Sequence, residues 1–357
     1  MSKLLFAGFL ILLCSMLSGC YTEFDPDINQ SPVLCLNSEI TAGKPVEARV
    51  TRTWRYTEGI MYDDNAILVK DADVRLYVNG NEYERLRPVQ RDTVEYGRPY
   101  TYHYYQGTYC PQTGDEIRLV AVSDRYGSAE GEVKVPEPPI IENIEWKLDS
   151  PTLVHGYPGS NLRCTLDARI YLRDRADTKD YYMFGYSISN PFVYDDPIFY
   201  PELEEWITPA SYGILSCTYF DQSHEPIFSE HISALELIDG AGFGYTMFSD
   251  MQFSGRTYPL HIVMTLEHRM DNADIEELWH SILNFKISAL SDSYYNHLLT
   301  VWQFDEGLSG MLAEAGLGAP VNGYSNVSTR AGIVVARNVT TVPVDFGEAL
   351  KEMWQQK

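Results

Sequence analysis

The residues best suited to chemistry lie close to the start of the chain. Leu17-Ser18-Gly19-Cys20 places a thiol directly after two small residues and a leucine. In that spacing a cysteine accepts a diacylglycerol, the small residues admit a signal peptidase, and the freed amino group takes a further acyl chain such as palmitate. Several acyl chains anchor stably where one binds only marginally. The segment that must deliver this thiol is Lys3 followed by the apolar run Leu4–Leu13. That run is too short to span a bilayer, which needs about 20 residues, so it reads as a cleaved export signal. Residues 1–19 are therefore expected to leave. Cys20 is the expected lipid-attachment site, and residues 20–31 form a polar, acidic, proline-containing tether. The acidic residues Glu23, Asp25 and Asp27 fit either a surface-export signal or a plain solvated linker.

Four further thiols, Cys35, Cys110, Cys164 and Cys217, follow the tether. In an oxidising compartment four thiols allow three pairings. Proximity in sequence favours Cys35–Cys110 and Cys164–Cys217. No Cys-x-x-Cys occurs and no histidines accompany them, so no zinc site is expected.

Other chemistry finds little support. The histidines are His103, His155, His224, His231, His261, His268, His280 and His297, and no His-Glu-x-x-His brings two together. No Gly-x-Ser-x-Gly elbow is present. The acidic run Asp271–Glu277 lacks the spacing and glycine of a calcium loop, and Asp63-Asp64-Asn65 and Asp195-Asp196 read the same way. Gly240–Gly244 lacks the Lys-Ser/Thr ending of a phosphate loop and reads as a turn. The expectation is a non-catalytic chain with no metal and no cofactor. Paired carboxylates of a surface glycan or peptide hydrolase stay open as an alternative, because such pairs meet in space and not in sequence. A third class is an adhesin or assembly module that takes a partner strand on an open sheet edge.

The densest aromatic feature runs from Glu95 to Cys110, with Tyr96, Tyr100, Tyr102, Tyr104, Tyr105 and Tyr109. Tyr100, Tyr102 and Tyr104 alternate as one face of a strand. The plainer reading is sheet packing, and the sharper one is an exposed platform for sugars or a peptide.

The elements that would position these groups are mostly strands. The sequence has 357 residues, enough for two cores. Residues 32–137 contain short alternating segments at Val33–Asn37, Val46–Trp54, Ala72–Val78, Tyr100–Tyr105, Glu116–Val122 and Gly131–Val135, with a hairpin turn at Asn79-Gly80. That pattern predicts an immunoglobulin- or transthyretin-like β-sandwich. Pro136–Pro139 marks its end. Residues 138–345 predict a second β-rich domain. Its strands are Cys164–Leu172, Tyr181–Ile188, Tyr258–Leu266, Leu283–Leu290 and Ile333–Ala336, with a long ordered loop over Pro191–Pro209. Tyr258–Leu266 and Leu283–Leu290 are expected to pair. A helix is predicted over 292–303, capped by Ser291 or Ser293, with Tyr295, Leu298, Leu299 and Trp302 on one face. Residues 346–357 predict a short C-terminal amphipathic helix. The class is mainly β with one or two short helices. The formal charge of −23 excludes a nucleic-acid backbone as partner and disfavours anionic lipid surfaces, leaving the acyl chains to hold the membrane.

The ordered set of Val46-x-Ala48-x-Val50, "DADVRLYVNG", "VPEPP", "LSDSYYNHL" and "APVNGYSNVSTRAGIVVA" resembles family 4249 of the domains of unknown function, Bacteroidetes outer-membrane lipoproteins. The resemblance spans most of the chain after Cys20. It implies a lipid-anchored, surface-facing outer-membrane protein without known catalytic residues. It further implies a role as accessory to a TonB-dependent nutrient transporter. The four cysteines beyond Cys20 depart from the family pattern.

Overall fold

The structure is a computed structural model. It describes residues 31–355 apart from 55–57, 59–63, 96–97, 150, 157–158, 190–192, 195–197, 201–204, 208–211, 214, 222–224, 230–245, 270–278, 306–309 and 311–322. The signal, Cys20 and most of the tether, Asp63, Asp195-Asp196, Gly240–Gly244 and Asp271–Glu277 lie outside the described residues, as does Tyr96.

The first region forms β1 (Leu34–Thr41), β2 (Glu47–Arg52), β3 (Asp73–Val78), β4 (Asn81–Arg85), β5 (Arg87–Glu95), β6 (Arg98–Gln106), β7 (Glu116–Ser123) and β8 (Gly127–Lys134). The second begins with β9 (Ile140–Leu148), β10 (Thr152–Gly156), β11 (Gly159–Arg173) and β12 (Tyr181–Ser189). Short strands β13 (Val193–Tyr194), β14 (Ile198–Tyr200), β15 (Glu205–Ile207) and β16 (Tyr212–Gly213) fall in and just after the expected loop. Then come β17 (Leu215–Asp221), β18 (Met247–Ser249), β19 (Thr257–Arg269) and β20 (Ile282–Leu290). The chain ends with α1 (Asp292–Asp305), β21 (Gly332–Val344) and α2 (Phe346–Gln355). The molecule is mainly β, as its alternating segments predict.

One eight-stranded sheet organises the whole, in the order β18-β12-β20-β21-β1-β2-β6-β5. Two smaller sheets pack on its inner face. A four-stranded sheet, β4-β3-β7-β8, closes the first core over Leu34, Leu36, Val50, Leu76, Ile117 and Leu119. A five-stranded sheet of β9, β10, β11, β19 and β17 closes the second core over Leu166, Ile170, Ile262, Met264, Phe285 and Ile287. The two sandwiches therefore share a wall.

The shared wall depends on β21. Its first half pairs parallel to β1, from Leu36↔Gly332 to Thr41↔Arg337. Its second half pairs antiparallel to β20, from Leu290↔Arg337 to Leu283↔Val344. Val334 and Ala336 enter the first core and Val344 the second. The expected boundary is corrected accordingly: residues 327–336 complete the first sandwich although they lie far inside the second region. The approach is tight. A Cβ on Gly131 would lie 2.6 Å from Val334 Cγ2. Asn326 Nδ2 donates to Glu132 O at 3.0 Å, and Thr329 Oγ1 donates to Leu34 O at 2.8 Å. The Pro136–Pro139 segment crosses beneath the sheet between the cores, where Asn338 Nδ2 donates to Pro136 O (3.0 Å) and Thr340 Oγ1 donates to Pro139 O (2.8 Å).

Local signals place the rest. Asn79 and Gly80 both have positive φ, 50° and 81°, which is what a two-residue hairpin with right-handed strand twist requires. Ser291 caps α1, its Oγ accepting from Tyr294 N at 3.2 Å. Tyr295 and Trp302 are buried beneath that helix, and Tyr295 stacks on Tyr181 at 4.1 Å. No helix among the described residues is long and apolar enough to cross a membrane.

Two further expectations fail. The strands β19 and β20 do not pair. They belong to opposite sheets and meet face to face in the second core, Met264 and Leu266 against Phe285 and Ile287. Neither expected disulfide forms: Cys35, Cys110 and Cys164 are free thiols. Cys164 and Cys217 are both registered against Leu266, on opposite sides of β19. Two strand spacings separate them by roughly 9.5 Å, beyond the ~7 Å reach of a disulfide. Cys110 precedes Pro111, whose carbonyl accepts from Gly43 N past the far end of β1, whereas Cys35 sits near its beginning. That places them roughly 20 Å apart at strand rise.

Candidate functional site

The outer face of the shared sheet is only partly covered. Outward side chains on β1 and β2, among them Asn37, Glu39, Glu47 and Arg49, alternate with the core residues. On β21 Ile333 and Val335 face the same way, and α1 lies over them. The strands β5 and β6 run on as a long hairpin paired over nine positions, from Arg87↔Gln106 to Glu95↔Arg98. Among the described residues their neighbour β2 joins at the root alone, through Glu47↔Gln106 and Ala48↔Tyr105 and the bond from Gly107 N to Val46 O. The rest of the hairpin stands clear of the sheet as an arm. Between the arm and α1 lies a groove of about 440 Å³.

The tyrosines divide by the parity of β6. Tyr105 points into the core, where its hydroxyl accepts from Ala72 N (2.9 Å) and donates to Val69 O (2.8 Å). This pair of bonds pins the root of the arm. Tyr100, Tyr102 and Tyr104 take the other face and are half-buried. Tyr100 and Tyr102 meet edge to face at 4.8 Å, and the Arg91 guanidinium sits 6.0 Å from the Tyr102 ring and 5.7 Å from that of Tyr104. Tyr102 and Tyr104 form one wall of the groove; Tyr294, His297 and Leu298 of α1 form the other. Tyr109 is a brace elsewhere, donating to Asp115 Oδ2 at 2.6 Å. That bond is the main cause pushing Tyr109 up to about 12.

Polar groups of the groove are largely engaged. Glu39 binds Arg337 Nε at 2.7 Å and accepts from Tyr294. Burial, and then the negative Glu39, push Tyr294 up to about 12, with Arg337 pulling the other way. Glu47 accepts from Gln106 Nε2 at 2.8 Å. His297 Nδ1 lies 3.4 Å from the Tyr324 carbonyl oxygen, so this nitrogen carries the hydrogen. His103, which borders a second hollow of about 480 Å³ on the inner side of the arm, accepts at Nε2 from Lys70 Nζ, 3.2 Å away. The recorded partners of these two histidines are a carbonyl and an ammonium, not the hydroxyl or thiol of a nucleophile. The groove can stack rings and exchange hydrogen bonds; among the described residues that line it, neither histidine is paired with a carboxylate.

His261, and the carboxylates of the second unit that the sequence did not single out, have structural roles. Asp167 and His261 lie on the outer face of the five-stranded sheet, Oδ1 to Nε2 at 2.9 Å, with Lys147 Nζ at 3.3 Å from Oδ2. Burial works to raise the Asp167 carboxyl, but hydrogen bonds from His261 and Lys147 outweigh it and hold it below its ordinary value. Glu225 is buried and accepts from Tyr258 (2.6 Å), His261 N (2.6 Å) and Ile227 N (3.2 Å). Asp174 accepts from Tyr182 at 2.7 Å and Gly255 N at 3.0 Å, and Asp250 Oδ2 from Asp180 N at 3.1 Å. These carboxylates tie loops to the second core. Cys164 is likewise inert, burial pushing its thiol up to about 12. Among the described residues no three His, Cys, Asp or Glu side chains are placed to hold a metal ion. Among the described residues, neither the hollow lined by Lys44, Lys286 and Arg337 nor the one lined by Glu142, Trp146 and Val342 gathers a pair of carboxylates or a serine with histidine.

No protein-family model matches this chain, and no curated protein matches it either.

Proposed function

We propose that the chain is an outer-membrane lipoprotein, held at the cell surface by acyl chains on Cys20, that binds a ligand or partner in the groove beside α1 without transforming it. The observation that carries this reading is the groove: half-buried Tyr102, Tyr104 and Tyr294 line it, and its carboxylates are already paired. Rigid aromatic surfaces of this kind supply contact area at low entropic cost. The export signal and lipid-acceptor spacing of residues 3–20 support the location. The resemblance to family 4249 supports a place beside a TonB-dependent nutrient transporter.

The test has two arms. Cells fed a clickable fatty acid should label the wild-type chain and not Cys20→Ser. The labelled chain, extracted in mild detergent, should bring an outer-membrane transporter with it, and Tyr102→Ala with Tyr104→Ala should release that transporter without releasing the chain from the membrane. An unlabelled wild-type band ends the anchoring half. Retention of the partner by the double variant ends the groove half.

An assembly role draws on a separate observation. The strand β5 ends the eight-stranded sheet, and among the described residues no strand pairs with its outer edge. Pro88, Arg91 and Asp92 on that strand are residues that discourage indiscriminate strand addition.

A further inference from the structure

Beyond the Arg337–Glu39 pair, on the same outer face, lies another hollow of about 480 Å³. Ser288 and Val339, directly opposite each other on β20 and β21, floor it. Three cations surround that floor. Lys286 stands opposite Thr341 on one side. Lys44 stands on the other, just past β1, where the chain still follows β21 through Ala42 N donating to Arg337 O at 3.0 Å. Arg337 closes one end.

This gathering is unexpected in a chain of formal charge −23. Arg337 engages Glu39 through Nε at 2.7 Å and, more distantly, Thr41 Oγ1 at 3.4 Å. Neither Lys44 nor Lys286 meets a carboxylate among the described residues, and Lys286 is half-buried. Both ammonium groups are thus left for an anion to meet. Thr41 and Thr341 add hydroxyl donors at the rim. Gly185, registered against Lys286, keeps the hollow open: a Cβ there would meet nothing within 4 Å. Neither packing nor backbone conformation demands glycine at that position.

We propose that this hollow binds a small dianion, a phosphate or sulfate group carried on a compact polar body, with Lys44, Lys286 and Arg337 as its counter-charges. The volume falls in the range of small-molecule sites and exceeds what a bare ion fills. The site stands apart from the aromatic groove and does not depend on it.

Calorimetric titration of the full-length chain in mild detergent tests this, with glucose 6-phosphate, inorganic phosphate and glucose as probes. Glucose 6-phosphate should bind, more weakly as salt rises, and glucose should not. Lys286→Gln and Lys44→Gln should each weaken binding about tenfold, the scale of one charge-assisted hydrogen bond. Gly185→Leu should abolish it by filling the hollow. Both lysine positions lie outside the two cores, so thermal midpoints should hold, and the two lysine variants check each other. Inorganic phosphate binding as tightly as the ester supports the anion site and assigns it to the free ion. No binding of either phosphate, equal binding of glucose, or binding indifferent to both lysine variants overturns the proposal.

Discussion

The two sandwiches lean on one sheet but use polar residues in opposite ways. The second buries Asp174, Glu225 and Asp250, and each carboxylate accepts donors from loops or neighbouring strands. Among the described residues the first buries no carboxylate and, Tyr105 apart, keeps its clustered tyrosines outside the core, on an arm and a groove. Buried carboxylates fix loop paths at a high cost of removal. Half-exposed tyrosines fix little and stay available. The difference locates binding in the first unit and mechanical organisation in the second.

The harshest way to break this comparison is at the strand both units share. Val334 is fully buried in the first core. Val334→Asp places a charge there and should cost about 4 kcal/mol or more. Because β21 continues into the second sheet, both sandwiches should unfold together. Urea titration followed by fluorescence and by far-ultraviolet circular dichroism would show one early transition. Two separated transitions, with the second at the wild-type midpoint, would show that the wall is shared in geometry but not in energy.

The contrast sharpens at Glu225. Truncation to alanine leaves the Tyr258 hydroxyl and the amides of Ile227 and His261 without their acceptor. About 3 kcal/mol should be lost. Tyr102→Ala and Tyr104→Ala in the first unit should each cost about 1 kcal/mol or less, since they give up partial burial and a weak cation–π contact with Arg91. Chemical denaturation of the three variants side by side gives the comparison. Equal losses would mean that the arm is part of the core.

Much of the architecture was legible because local rules act within a few residues. Asn79-Gly80 announced a hairpin, Ser291 a cap, and the spacing of Tyr295 and Trp302 a buried helix face. Alternation showed that β19 and β20 each own an apolar face, but period two says nothing about which sheet a strand joins. The union of β1 with β21 was hidden because it joins residues roughly 300 positions apart and requires a parallel register that no turn signals. Cysteine proximity misled for a related reason: Cys164 and Cys217 do come near in space, but Leu266 stands between them. The groove was half visible. The alternation of Tyr100, Tyr102 and Tyr104 was plain, while the opposite wall of Tyr294, His297 and Leu298 comes from a helix about 190 residues later.

The smallest effects separate two carboxylates within the second unit itself. Asp167 on the outer face is held below its ordinary value of 3.8, its bonds to His261 and Lys147 outweighing burial. Its folded pKa is depressed, so its stabilisation is complete above the unfolded value and is lost as pH falls through the folded one. Asp250 moves the other way. Burial first, then the charges of Asp174 and Asp180, raise its carboxyl. Its advantage to the folded state exists below the unfolded value and disappears as pH rises through the folded one, so at neutral pH the ionised group is a liability. Asp167→Asn should therefore lower the thermal midpoint near neutrality and flatten its fall in acid. Asp250→Asn keeps an oxygen able to accept from Asp180 N and should leave the neutral midpoint unchanged or raise it. Midpoints measured from neutral pH into acid decide the matter. If both variants shift the same way, burial and pairing do not oppose each other in this sandwich, and the account of its carboxylates as loop ties must be redrawn.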